Sequence, residues 1–491
     1  MNTRTGVVLL TGLLVGAAFA ADKPTPVEAG PDADGYLALA RAYADAMIEK
    51  GRDRYGEKHS PLFAAALDLG TMSLPERAPP NVGGLRGIER SWRGANPQHD
   101  QYLYQLLYAL TKITGEKRYG EAADAALKWF FENAQSPETG LLAWGEHLQW
   151  DFRLERAVNA EMKNYWELHE FYRPWLFWER CFDLTPGPCL RFAKGLWADQ
   201  IADQTTGAFS RHAGYHTHKT ETDWELPRHG GFYIATWARA YARTKDPEFL
   251  RAVTVLVDGF LAHRHPGTGA LSPAFGAGAR EHYWAPSNLS LAIDLWDAAP
   301  LLSEDLGKRM RDCARQIDEV YLKTAHDLGP AGKGFLEKGL SGTLLASAKP
   351  NWTRTWGALW SDARAALQCE VRYRQVEREQ YRDLILAAAQ RYVRNDPPSG
   401  TVLHPGTLAD AMRLMRTAHA YTGQKAYLDR AWHFANLGHV LFLKGSSLPR
   451  ASSDAAHYEA ATGGDALMME YLALWCKRKR PEMKDLSYCE R

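Results

Sequence analysis

A short piece of punctuation recurs along the chain and constrains its fold more than any other feature. It reads Thr114-Gly115-Glu116-Lys117-Arg118-Tyr119, then Thr244-Lys245-Asp246-Pro247-Glu248-Phe249, then Thr422-Gly423-Gln424-Lys425-Ala426-Tyr427. Upstream of the first copy, Leu103, Leu106, Leu107 and Leu110 stand at i, i+3, i+4 and i+7, one apolar face of an amphipathic helix. Downstream, an alanine-rich helical pattern continues to about Asn133 without a proline. In the second copy Asp246 suits a helix N-cap and Pro247 the first helical turn. Each copy therefore reads as a helix, a tight turn and a second helix with an aromatic residue near its start.

Comparable pairs are expected at about 157–182 with 187–203, 286–300 with 303–325, and 358–372 with 376–395. A helix at about 35–50 and another at about 464–477 have no partner beside them in sequence, and joining the two makes a seventh hairpin that closes a ring. Amphipathic hairpins cannot bury their apolar faces alone, and stacking them in a circle gives each one two neighbours. The expected class is all-α, an (α/α) toroid of about seven helical hairpins, with residues 34–491 as one domain. The segments 68–98, 204–230 and 326–356, rich in Gly, Pro, Trp and His, then line one mouth of the ring. Loops longer than ~12–15 residues in a compact domain are usually functional.

The chain opens with a basic Arg4, an apolar run from Gly6 to Phe19 and the small-x-small ending Ala18-Phe19-Ala20, which reads as a secretory signal cleaved after Ala20. Residues 21–33, rich in Pro, Asp and Ala, read as a flexible segment. No other stretch reaches the ~18–20 uninterrupted apolar residues of a membrane span. These features predict a periplasmic or secreted protein. The charge balance of 59 basic against 58 acidic residues gives no reason to expect nucleic acid or an anionic membrane as partner. Any preference for an acidic ligand must come from local arginines and lysines. Six cysteines in an exported chain could make three disulfides, and Cys181 with Cys189, Cys313 with Cys369, and Cys476 with Cys489 would each close a local loop. The 17 Trp and 22 Tyr could stack on sugar rings, although packing of helices accounts for most of them.

The stretch from Gly207 to Gly231 holds His212, His216, His218 and His229 together with Arg211 and Arg228, between two helical patterns. Histidines supply metal ligands or proton carriers, and arginines engage carboxylates; a polar surface loop is the plainer alternative. Other polar and aromatic strings of the same kind are Arg93 to Asp100, which includes Asn96 and His99, Trp144-Gly145-Glu146-His147, and Glu161-Met162-Lys163-Asn164. A set of His147, Glu161 and His212 would offer two imidazoles and a carboxylate, suited to Mn, Co, Ni or Zn and leaving positions open for substrate. Against this, His147 could simply bond a helix end, and Glu161 could be a carboxylate at a helix N-terminus, favoured there by the macrodipole. His216 and His218 read as lining or solvated residues. The string Ser452 to Glu459, with His457 and Tyr458, also resembles mouth chemistry more than helix.

The toroid, the exported chain and the dipeptide Arg211-His212 downstream of His147 and Glu161 together resemble the family-2 polysaccharide lyases, the periplasmic metal-dependent pectate lyases. The resemblance implies a divalent metal (Mn, Co, Ni, Zn or Ca) held by His147, Glu161 and His212, with Arg211 as the base that starts β-elimination. Lys163 competes for that role, because a lysine beside a cation loses its proton more readily than an arginine. The substrate implied is an acidic, uronate-containing polysaccharide or oligosaccharide. Asn96, His99, Asn164, Arg228 and His229 are candidate substrate contacts, with Trp144, Trp224 and Trp284 as stacking faces and His457 and Tyr458 as further contacts. Two other functions fit the same toroid. One is a glycoside hydrolase drawing a carboxylate pair from Glu146, Asp151, Asp223 and Glu225; the other is a non-catalytic glycan-binding protein.

Overall fold

The computed structural model describes residues 31–162, 167–171, 173–210, 212–217, 227–272, 285–324 and 361–483, with short stretches between 326 and 352 and the single residues 283 and 486. The helices are α1 (Ala33–Glu49), α2 (Gln101–Thr114), α3 (Lys117–Asn133), α4 (Trp178–Leu184), α5 (Pro186–Gly195), α6 (Pro227–Thr244) and α7 (Pro247–Ala262). They continue with α8 (Ala285–Ala298), α9 (Glu304–Leu322), α10 (Asp362–Val376), α11 (Glu379–Arg394), α12 (Pro405–Thr422), α13 (Lys425–Phe442) and α14 (Gly464–Lys479).

Successive helices pack as hairpins from α2 with α3 to α12 with α13, and α14 returns to pack on α1, so the chain closes on itself as an all-α toroid. The helices α8, α12 and α14 are buried on nearly every side, whereas α7, α9 and α13 bury one face each. The inner ring runs α6, α8, α10, α12, α14, α2 through direct packing of neighbours. Among the described residues α2 and α6 do not pack on each other as the other neighbours of the ring do. The short helices α4 and α5 bridge that sector, together with non-helical chain over 141–162 and 167–171 that buries residues such as Trp144, His169 and Phe171.

The recurring threonine explains the tight turns. Thr114, Thr244 and Thr422 each donate their hydroxyl to the carbonyl four residues back, at 2.8, 2.8 and 2.7 Å. The same oxygens accept from the amides of Glu116, Asp246 and Gln424. The residue after each threonine is left-handed: Gly115 at φ 79°, Lys245 at 58° and Gly423 at 70°. Asp246 caps α7 by accepting from the Glu248 amide, as expected.

The helix expected over 157–182 does not form. Arg156–Val158 is a strand, helix begins only at Trp178, and α5 ends in a π turn at Leu196–Gln200 before a strand at Ile201–Asp203. Pro174 bars helix through its own turn, and the strand Leu168–His169 finds its partner in Ala213–Gly214. Glu161 therefore opens no helix; it stands in a turn, its amide bonded to the Asn159 side chain.

The expected disulfides at Cys181–Cys189 and Cys313–Cys369 are absent: these four cysteines are buried free thiols, as is Cys476, and Cys489 lies outside the described residues. They pack as small apolar groups. Burial pushes the Cys181 thiol up to about 12, and Cys313 accepts from Arg264 Nη2 at 3.1 Å. Residues 1–20 and all but the end of 21–33 also lie outside the described residues.

Candidate metal centre

The sector that interrupts the inner ring builds the site. In the antiparallel pair Leu168–His169 with Ala213–Gly214, His169 faces Ala213. One step further along, Glu170 stands opposite His212, and His212 Nε2 lies 2.9 Å from Glu170 Oε2. The pair is extended by the Tyr215 amide, which donates to the Glu167 carbonyl.

His147 reaches the same oxygen from the other side, with Nε2 2.9 Å from Glu170 Oε2. Its loop is held against the Glu170 backbone: Gly145 bridges Glu170, and the Glu146 amide donates to the Glu170 carbonyl. Gly145 has φ 105°, and a Cβ there would sit 2.3 Å from that carbonyl oxygen, so only glycine allows the approach. Asn96 clamps the loop from below, donating to the carbonyls of Gly145 and Leu148. His229, in the first turn of α6, is fully buried and places Nε2 3.1 Å from the other carboxylate oxygen, Oε1.

His147, Glu170 and His212 thus present ligand atoms that all lie within 4.8 Å of one another. The carboxylate that joins the two expected histidines is Glu170 rather than Glu161, which is exposed in its turn and outside the group. The geometry suits a cation. Two metal–ligand bonds of ~2.1 Å at a right angle place their donor atoms about 3.0 Å apart, close to the 2.9 Å spacing of both Nε2–Oε2 pairs. Two imidazoles and one carboxylate form a mixed N/O set of the kind that suits first-row transition metals. Glu170 is completely buried, so an uncompensated charge there would be costly, and a cation or the histidines that meet it can balance it.

Other expected residues stand elsewhere. Trp144 offers no face to substrate: it is fully buried, against the tilted ring of Phe171 at 4.3 Å and edge-to-face with Trp175 at 4.9 Å between ring centres. Asn96 is equally buried and acts as the loop clamp just described. His99 is buried beside a small polar cavity at the starts of α2 and α14. His457 and Tyr458 lie on a strand paired with Ala66–Asp68 and serve packing. Tyr458 meets the Tyr43 hydroxyl at 2.9 Å, and His457 and Arg90 both bond Glu459. Burial alone would raise the Glu459 carboxyl, but the hydrogen bonds from His457 and Arg90 outweigh it and hold the group below the usual carboxylate range. His216 is exposed and pairs with Glu138. Lys163, Asn164, Arg211, His218, Trp224, Trp284 and the side chain of Arg228 lie outside the described residues.

Of the carboxylates considered for a hydrolase, Asp151 is committed to Arg93 and to the amides of Arg153 and Leu154. Glu146 pairs with Arg86 at 2.8 Å, and Arg86 also holds the buried Glu89. Asp223 and Glu225 lie outside the described residues. Sequence reasoning missed Glu170 and its neighbour His169. The signal available was Pro174, which forbids the long helix that hid the His-Glu dipeptide.

Residues 61–233 match the periplasmic pectate lyase family. The pectate lyase match takes in His147, Glu170, His212 and His229, and it supports a carbohydrate-processing enzyme. Three solved structures are similar over nearly their whole length. A cellobiose 2-epimerase from Bacillus thermoamylovorans shares 9% identity, with 90% of this chain and 99% of that chain covered and a TM-score of 0.46. An unsaturated glucuronyl hydrolase specific for heparin shares 11%, with 91% and 99% covered and a TM-score of 0.46. A GH76 α-mannanase from Bacteroides thetaiotaomicron shares 11%, with 91% and 97% covered and a TM-score of 0.42. Among the described residues no helix is long and apolar enough to cross a membrane.

Proposed function

We propose that this chain is a periplasmic, metal-dependent lyase that cleaves an acidic, uronate-containing polysaccharide of the pectate kind by β-elimination, with residues 34–491 acting as one catalytic unit. The observation that carries the reading is the convergence of His147 and His212 on one oxygen of the buried Glu170. The family match over the segment that holds all three adds support. Two nitrogen donors favour Mn, Co, Ni or Zn over Ca, whose sites are built from oxygens.

In such a reaction a base takes the proton at C5 of a 4-linked uronate, the C4–C5 double bond forms, and the C4–O bond breaks with the leaving sugar oxygen gaining a proton. A divalent cation held by His147, Glu170 and His212 would act as a Lewis acid on the substrate carboxylate and acidify the C5 proton. The part of His229 is to hold Oε1 of Glu170, leaving Oε2 aimed at the histidines. Arg211 stays the first candidate base and Lys163 the second, both on the strength of the family resemblance.

The deciding experiment is metal analysis of the purified protein, followed by ultraviolet absorbance on polygalacturonate and other uronic polymers, with and without chelator. A lyase product carries a conjugated double bond and absorbs; a hydrolase product does not. Absence of bound metal together with absence of an absorbing product across the panel would overturn the proposal.

A further inference from the structure

Next to Glu170 in the chain the fold buries a fourth histidine, bonded to Trp144 and Gln200 outside the ligand group. His169 is completely buried. Its Nε2 receives the indole N–H of Trp144 at 3.1 Å. An indole nitrogen only donates, so Nε2 of His169 must carry its lone pair. The other ring nitrogen, Nδ1, lies 2.7 Å from Gln200 Oε1. The Gln200 amide is oriented by its own nitrogen, which donates to the Ser210 carbonyl at 2.6 Å and faces the His169 carbonyl at 3.4 Å. Its oxygen therefore points at His169, and an amide oxygen has no proton to give, so Nδ1 carries the hydrogen.

The chain Trp144, His169, Gln200, Ser210 touches every segment that delivers a ligand. Trp144 stands three residues before His147, His169 adjoins Glu170, and Ser210 stands two before His212. We propose that His169 is a positioning residue, locked as the Nδ1–H tautomer, whose two hydrogen bonds hold the His147, Glu170 and His212 segments in mutual register. Outer partners of this kind orient ligands and set their affinity for the ion. The consequence for metal binding rests on the metal-dependent reading above; the tautomer does not.

The test uses the full chain labelled with 15N-histidine and stripped of metal, then titrated with Mn2+. Long-range 1H–15N spectra should show His169 with a protonated Nδ1 and an unprotonated Nε2. Gln200→Leu removes both the bond to Nδ1 and the tie to Ser210, and Trp144→Phe removes the indole donor while keeping an aromatic ring. Each should weaken Mn2+ binding about 10–100-fold by calorimetry. Phe182→Leu, a change in the same aromatic core without a link to the relay, should lower the unfolding midpoint and leave Mn2+ affinity within about twofold. An Nε2–H tautomer at His169 would overturn the inference, as would Mn2+ affinity in both relay variants equal to that of Phe182→Leu. If Gln200→Leu does not fold, Trp144→Phe and the tautomer decide. If the wild type takes up none of Mn, Co, Ni or Zn, the metal reading fails instead, and the tautomer alone decides the inference.

Discussion

Glu170 meets His212 because of strand register: His169 pairs with Ala213, and the next step along the ladder brings the Glu170 carboxylate and the His212 imidazole to 2.9 Å. This relationship separates Glu170 from Glu161, which lies in an exposed turn outside the group. Glu170→Gln keeps the shape and removes the charge. Under the proposed function it should cut metal affinity by more than ~100-fold, beyond the range typical of outer partners, and remove the proposed lyase turnover with it. Glu161→Gln should retain metal and activity within about threefold, an effect below ~1 kcal/mol. Metal content after dialysis and initial rates on polygalacturonate check both, and equal losses in the two variants would reject the assignment.

Gly145 carries a second prediction about the same carboxylate. A methyl group at this position would press on the backbone carbonyl of Glu170 at 2.3 Å, and φ of 105° disfavours any side chain there. That carbonyl is backbone and has no flexible end that can yield. Gly145→Ala should therefore cost about 1–3 kcal/mol of stability and displace His147, whose loop it anchors, with weaker metal binding as the more sensitive readout. Denaturant midpoints and metal titration measured on the same preparation would show it; a neutral Gly145→Ala on both would mean the loop can shift without consequence.

The three threonine turns contain their own control experiment. Gly115 and Gly423 occupy the left-handed position, and Lys245 does so at the corresponding place in the second turn. A lysine there pays a left-handed strain of ~1–2 kcal/mol, part of which glycine's greater unfolded-state freedom would return. Lys245 also lies over the Tyr241 ring at 5.0 Å, a modest contact that glycine would lose. The expected net effect of Lys245→Gly is a gain of about 0.5–1 kcal/mol, read as a higher denaturant midpoint. A lower midpoint would mean that the Tyr241 contact outweighs the strain.

What was legible in the sequence was local. The threonine, the left-handed residue and the cap lie within four positions of one another, and so the hairpins at 114–116, 245–246 and 423–424 could be placed from residue types alone. His147 and His212 stood out because histidines beside Gly, Glu and Arg make poor core. Glu170 did not stand out. Its place depends on a pairing with a segment more than forty residues away, and a helical pattern over 157–182 masked the strand that makes the pairing. Trp144, His457 and Tyr458 mislead for the opposite reason: polar or aromatic groups in apparent loops suggest exposure, whereas each is buried against chain distant in sequence.

Asp100 gives the last prediction, one of pH. Its carboxylate is buried at the start of α2, and among the described residues neither oxygen has a hydrogen-bond partner. Burial, and then the charge of Asp465, push its pKa well above the usual carboxylate range. Tyr104, Tyr43 and Tyr458 are pushed up mainly by their own burial and, to a lesser extent, by neighbouring charges that include Asp100. In the unfolded chain Asp100 ionises near pH ~3.9, while in the folded protein it holds its proton to higher pH. Folding therefore opposes the loss of that proton, and stability falls as pH rises above ~4, up to the folded-state value. Asn at this position keeps the shape, has no charge to bury, and sacrifices no cap, because the Asp100 side chain makes no capping bond to α2. Asp100→Asn should raise stability by about 1–3 kcal/mol at neutral pH, and the gain should shrink as the pH approaches 4. Denaturation midpoints of the two proteins between pH 4 and 8 test this, and a gain independent of pH would show that the buried charge is not its source.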